Sequence, residues 1–382
     1  MRALSLVLLV VHGALADVKT LGAPAYSCDA NVMAPSATVP TNVNQVRFAD
    51  IKVIAAMGDS LTAANGAGAI PGDPVQVILQ YRGLCFHGGG QTNLSDQITI
   101  PNILRKFNPN LQGYAVGTGS ENVWEKAKLN TGIPGAQSGG LLTQAETLIN
   151  KMKAHSEINF KNDWKLVNLF IGGNDLCAYC DDVYHNASSP HSAEDFRDNI
   201  KAAVKMLKDN MPRTIVSVTG MFNMGMLRVV DNNQFFCDAL HVFECPCEKD
   251  KGFTNEDMDA VCQLYMKREQ ELQDTGIFEA DDFTLVIQPF FEDVHQPPMK
   301  DGKVDLSFFA PDCFHFSKFG HAVVAKNLWN TILQPVGKKA RNANLSDVTP
   351  TLSCPTASCP FFPTVKNSQN CAKLWTPSIL DV

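Results

Sequence analysis

Four short segments concentrate the residue types that acyl transfer needs. The first is Gly58-Asp59-Ser60-Leu61. A serine just past a buried apolar run, preceded by a glycine that permits a sharp turn, can expose its hydroxyl and leave its own N–H free. Thr62 stands where the nucleophile elbow of the α/β-hydrolases has glycine, so this is a different turn. The second segment, Asn130-Thr131-Gly132-Ile133-Pro134-Gly135, ends in a glycine able to offer a bare N–H. The third, Gly172-Gly173-Asn174-Asp175, can aim the Asn174 amide at the same point. The fourth is Asp312-Cys313-Phe314-His315. Two side chains three residues apart can face one way on a turn, so a carboxylate can hold one ring nitrogen and leave the other as a base.

Each segment alone has a plain reading. Serines cap helices, and Gly and Asn fill turns. Together and in this order they supply a nucleophile, two oxyanion donors besides the nucleophile's own N–H, and an oriented base. Other candidates have simpler explanations. His321 lacks a carboxylate at a matching offset and stands at the start of a helical pattern. His87, in Cys85-Phe86-His87-Gly88-Gly89-Gly90, reads as a solvated loop histidine bordering a groove. Asp59 and Asp175 suit loop stabilisation through backbone N–H groups. Phe290-Phe291 and Phe308-Phe309 divide between core packing and an apolar acyl pocket.

The elements that must position these residues alternate. Apolar runs at 51–57, 166–171, 214–218 and 283–287 read as buried strands, the first two ending in glycine. Between them Leu141, Ala145, Leu148, Ile149 and Met152 recur at helical spacing. Ser192 and Thr254 open further helices, the latter stopping at Gly276, and 322–333 forms a last amphipathic stretch. Strands alternating with helices predict a parallel sheet covered on both faces, a three-layer α/β/α sandwich over 48–336. Residues 17–47, rich in Pro, Ala and Thr, read as an extended lead-in, and 337–382 as an irregular tail pinned by disulfides. Sites in such sheets form beyond the C-terminal strand ends, where three of the four segments fall.

Composition narrows the rest. The chain has 382 residues, 45% hydrophobic and 19% charged, with net charge -7 and no basic run beyond a pair. That excludes the basic footprint of a nucleic-acid binder and gives no attraction to anionic membranes. Residues 1–16, one Arg before an apolar core that ends in Ala14-Leu15-Ala16, read as a signal peptide, and no later run is long enough to span a bilayer. The expectation is export and an extracellular location. All twelve cysteines lie beyond the cleavage site and read as a disulfide framework, their pairing left open. Asn93, Asn186 and Asn344 stand in glycosylation sequons. No calcium or zinc ligand pattern stands out, so no metal or cofactor is expected.

Taken together, these blocks resemble the SGNH, or GDSL, hydrolase superfamily. The segments at 49–53, 58–63, 170–177, 288–292 and 308–317 are similar to the animal membrane-associated phospholipase B family, with likeness over roughly 40–340. The resemblance implies a flavodoxin-like SGNH fold, with Ser60 as nucleophile, His315 as base and Asp312 as its orienter. It implies oxyanion donors at the N–H groups of Ser60 and Gly135 and the amide of Asn174. It also implies a phospholipid or lysophospholipid substrate, met on a transient lipid-aggregate surface, with no stable protein partner. The sequence carries one catalytic set rather than tandem copies, and no hydrophobic C-terminal tail for an anchor. An esterase for small or carbohydrate esters, or a secreted binding protein without activity, are the rival readings.

Overall fold

The computed structural model describes residues 18–181, 189–231 and 235–374. The predicted signal segment and the Asn186 sequon lie outside them. Four strands, β1 (Ile51–Gly58), β2 (Trp164–Phe170), β3 (Thr214–Thr219) and β4 (Phe283–Gln288), form one parallel sheet in the order β1-β2-β3-β4. Beyond a single exposed lysine in β1, every residue of these strands is buried, as a sheet covered on both faces requires. An irregular edge completes the sheet. Gln112 and Asn130 bridge in parallel to Val53 and Ala56 on the free side of β1. Counting that edge, the order becomes the 2-1-3-4-5 of a flavodoxin-like sheet.

The helices that matter for the site are α1 (Ser60–Ala63), α2 (Ile100–Phe107), α3 (Leu141–Ala154), α4 (Gly173–Ala178), α5 (Ala193–Asn210), α6 (Phe235–Glu244), α7 (Asn255–Asp274) and α8 (Lys318–Ile332). The crossovers β1-β2, β2-β3 and β3-β4 all step one way across the sheet. A common hand therefore puts α3, α5 and α7 on one face, and they pack side by side. The step from β1 back to the edge carries α2 to the other face, where it packs on α8. The helix starts follow their sequence signals: Ser192 accepts from the Asp195 N–H, and Thr254 and Asp257 form a reciprocal capping box.

Lead-in and tail lie against this body. Arg47 bridges to Phe361, and Cys28 is joined to Cys354. Four further disulfides join Cys177 to Cys245, Cys180 to Cys247, Cys237 to Cys313 and Cys359 to Cys371. The expectation that all twelve cysteines pair is corrected: Cys85 and Cys262 are free thiols. Both are sealed in the core, where they act as small apolar side chains, and burial pushes each thiol up to about 12. The Asn93 and Asn344 side chains are exposed.

Candidate functional site

The parallel register sets the site. Gly58 pairs with Phe170, so α1 and α4, which follow β1 and β2 directly, begin at the same end of neighbouring strands. Gly58 has φ 150°, and a Cβ there would lie 2.1 Å from the Phe170 carbonyl oxygen, so no other residue fits the bend. The Gln144 side chain, reaching over from α3, locks it. Its carbonyl accepts from the Gly58 N–H at 2.9 Å and its amide donates to the Gly58 carbonyl at 2.8 Å. Asp59 then caps α1 by accepting from the Leu61 N–H at 2.9 Å. The Ser60 N–H has no hydrogen-bond partner among the described residues.

Asp312 and His315 stand on a tight loop closed at its base by an antiparallel bridge between Phe309 and Phe316. Inside it Cys313 takes a positive φ of 62°, and the Ala310 N–H donates to the His315 carbonyl. One Asp312 oxygen accepts from the backbone N–H groups of Phe314 and His315, both at 3.0 Å. The other lies 2.6 Å from His315 Nδ1, and His315 Nε2 lies 2.7 Å from Ser60 Oγ. Serine, imidazole and carboxylate thus form one buried hydrogen-bonded chain.

Charge in this chain is set by competing forces. Burial pushes the His315 imidazole down and the Asp312 carboxyl up. Their mutual attraction outweighs both, leaving His315 above its ordinary value and Asp312 below its own. The ring proton therefore belongs on Nδ1, toward the carboxylate, and Nε2 is free to accept from Ser60. Two further carboxyls surround the imidazole. Burial raises Asp59 to about 7, and burial together with the Asp312 charge raises Glu244, on α6, also to about 7.

The second and third segments lie together beside the end of β1. Residues 129–133 run along β1 through Ala56 N–H to Leu129 O, Thr131 N–H to Ala56 O and Ile133 N–H to Gly58 O. The Gly132 N–H is taken by Asn130 Oδ1, whereas that of Gly135, at φ 75°, has no partner among the described residues. Asn174 donates one amide hydrogen to Ala136 O at 2.9 Å, which holds it against this loop. Asp175 accepts from the Ser138 N–H and hydroxyl, as a loop-stabilising carboxylate should.

Both other histidines weighed as candidates, His321 and His87, are buried away from Ser60 Oγ and bond elsewhere. His321 is buried in α8, accepts from the Phe86 N–H, and burial pushes it down to about 3. His87 corrects the expectation of a solvated loop histidine: it is fully buried, hydrogen-bonded to Thr62 Oγ1 at 3.1 Å, and also lowered to about 3 by burial. The glycine after it lets the chain pass close to β1; at Gly88 a Cβ would meet the Ala56 methyl at 2.6 Å. Phe290, Phe291 and Phe308 are core residues, and Phe309 lines a cavity of about 500 Å³ beside the Asp312 loop.

Several supports carry little sequence signal. Arg82 is fully buried and fastens the 130–132 loop, donating to Asn130 Oδ1 at 2.7 Å and Gly132 O at 2.8 Å. Gln144 did leave a trace, since it falls on the apolar face of α3, three residues after Leu141. His241, also on α6, stands 2.9 Å from the Asp312 carbonyl.

A doubly wound sheet with a Ser–His–Asp chain at its strand ends defines a hydrolase-type scaffold. The chain belongs to the GDSL-like lipase/acylhydrolase family, whose model matches residues 54–328. It is 43% identical to phospholipase B1, membrane-associated, of Mus musculus over 340 residues, which are 87% of this chain and 22% of the relative. It is 40% identical to the Homo sapiens protein of the same name over 349 residues, 90% of this chain and 24% of that one. The chain thus spans less than a quarter of the length of these relatives. No helix among the described residues is long and apolar enough to cross a membrane.

Proposed function

We propose that this chain is an extracellular serine esterase that cleaves fatty-acyl esters of glycerophospholipids and lysophospholipids. Its hydrolase domain spans 48–336, with the lead-in and tail as flanking braces. The observation that carries the reading is the continuous bond from Ser60 Oγ through His315 to Asp312, at 2.7 and 2.6 Å. Membership of the acylhydrolase family and the names of the relatives point the substrate toward phospholipid. Five disulfides suit an oxidising compartment outside the cytosol.

In this mechanism His315 Nε2 takes the Ser60 proton as Oγ attacks the ester carbonyl carbon. The new oxyanion accepts from the N–H groups of Ser60 and Gly135 and from the Asn174 amide. The tetrahedral species collapses, the C–O bond to glycerol breaks, and His315 returns its proton to the leaving oxygen. Water, deprotonated by the same nitrogen, then releases the fatty acid from Ser60. Asp312 holds the tautomer and offsets the imidazolium charge throughout.

The test is a defined phosphatidylcholine and its lyso form, without added metal, on wild type and Ser60→Ala, alongside labelling by a fluorophosphonate. Acyl release and labelling by wild type alone support the reading. Labelling without release from either lipid overturns the substrate assignment, and no labelling overturns the serine mechanism.

A further inference from the structure

Exposed aliphatic side chains are not spread evenly over this molecule. Ile70, Val75, Ile78 and Leu79, exposed by 38, 73, 73 and 42%, fall within ten consecutive residues. Such a cluster on a surface otherwise rich in charge marks a contact face. Between Leu61 and Tyr81 there is one charged side chain, Asp73, and its carboxylate accepts locally from the Val75 N–H at 3.1 Å and the Gln76 amide at 2.7 Å.

The segment is braced rather than loose. Its neck is closed by Gly66 N–H to Leu79 O and Tyr81 N–H to Ala64 O, and Val77 is buried between the exposed Val75 and Ile78. It is also continuous with the reacting serine. The Asn65 N–H donates to the Ser60 carbonyl, and a Cβ at Gly66 would touch the Ala310 methyl at 2.9 Å, two residues from Asp312. Ala69 and Pro71 form one wall of the cavity of about 500 Å³, and Leu306, Phe309 and Pro311 the other. At the opposite end, Arg82 joins Gln80 to Gly132, next to Ile133, which is itself exposed.

We propose that Ile70, Val75, Ile78 and Leu79 form a docking face that seats the protein on a zwitterionic phospholipid surface with Ser60 at its edge. This deepens, and rests on, the phospholipid reading above. The occupant is set by chemistry. The face offers aliphatic side chains and almost no charge, and the chain as a whole is at -7, so a neutral phosphocholine interface fits and an anionic one does not. The neighbouring cavity gives an acyl chain lifted from that surface an apolar place beside the Asp312 loop.

The experiment uses the full chain carrying Ser60→Ala, so that binding is read without turnover, with and without Val75→Ser and Ile78→Ser. Both substituted positions are exposed, so the fold is spared. Co-sedimentation with pure phosphatidylcholine vesicles is expected to weaken roughly tenfold for each side chain removed. In the active protein the same pair of substitutions is expected to slow hydrolysis of vesicle lipid while leaving a water-soluble p-nitrophenyl ester unaffected. Equal vesicle binding with and without the substitutions overturns the docking face, as does binding that requires added phosphatidylserine. If wild type cleaves the soluble ester but no phospholipid, the substrate reading fails, and vesicle binding still decides the docking face by itself.

Discussion

The Nε2–H of His241 donates to the backbone carbonyl of Asp312 at 2.9 Å, so a histidine that never touches Ser60 braces the loop bearing the carboxylate that meets His315. Its other nitrogen, Nδ1, lies 2.8 Å from Asp231 Oδ1, and Lys249 pairs with the second oxygen of that carboxylate. A carbonyl can only accept, so Nε2 carries a proton, and the Asp231 carboxylate beside Nδ1 favours the charged form of the ring. Burial opposes this charge, but the Asp231 carboxylate outweighs it, and His241 stands above its ordinary value. Glu248, 3.9 Å from Nδ1, and Lys249, which also pairs with Asp238 at 2.7 Å, extend the cluster.

His241→Ala should therefore cost stability, about 1–3 kcal/mol for the orphaned carbonyl and more for the unbalanced carboxylates. His241→Gln, which keeps an amide donor, should recover part of it. Because the folded pKa is raised, the imidazolium contributes fully below about pH 6.5, its unfolded value, and its contribution fades as pH climbs through the folded value. Thermal melts of wild type and His241→Gln should thus differ most in mild acid and converge in alkali. A constant difference across pH would remove the charge from this account.

The acid limb of kcat/KM should report His315. The base works only when neutral, so activity rises with pH, and the midpoint should lie above about 6.5 because Asp312 raises the imidazole. Asp312→Asn removes the charge that raises it. Its limb should move to lower pH while kcat falls on the order of 10⁴, since the amide favours the wrong tautomer. A limb that stays in place would mean that Asp59 or Glu244, rather than Asp312, sets the imidazole.

The strands were legible because each is an unbroken apolar run, and a parallel sheet buried on both faces demands just that. The strand-end rule then led directly to Ser60 and Asn174. What escaped was whatever depends on a partner distant in sequence. Arg82, in a Tyr-Arg-Gly stretch, looks like a surface cation, and only the folded chain brings Asn130 and Gly132 to it. His87 reads as solvated because three glycines follow it, yet those glycines serve close packing, Gly88 against Ala56 of β1, Gly89 against Gly83 and Gly90 against the Tyr114 ring. An even total of cysteines invites pairing of Cys85 and Cys262 too, and nothing in their spacing separates a core thiol from a half-cystine.

Asn174→Ala should lower kcat by about 10²–10³ if its amide meets the oxyanion. The substitution also removes the bond to Ala136 O, so a structural loss must be separated from a chemical one. KM for a soluble ester and the melting temperature should stay near wild type. A fall in kcat matched by an equal fall in stability would assign Asn174 to holding the loop.

The bidentate clasp of Gln144 on Gly58 predicts where the fold and the site are coupled. No side chain can take the place of Gly58, because at its φ of 150° a Cβ would run into the Phe170 carbonyl and the Thr62 hydroxyl. Gln144→Ala leaves the buried Gly58 N–H without its acceptor, about 1–3 kcal/mol, and the Gly58 carbonyl with the Ile133 N–H alone. Gln144→Glu restores the acceptor but brings a carboxylate oxygen against the Gly58 carbonyl, so it should be no better than alanine at neutral pH and improve on acidification, where a protonated acid can donate. Both variants should lose soluble-ester kcat as well as stability, since α1 and Ser60 hang from that bend. Urea unfolding alongside single-turnover acylation would check it. A Gln144→Ala protein with wild-type acylation would show that the bend is held by backbone sterics alone.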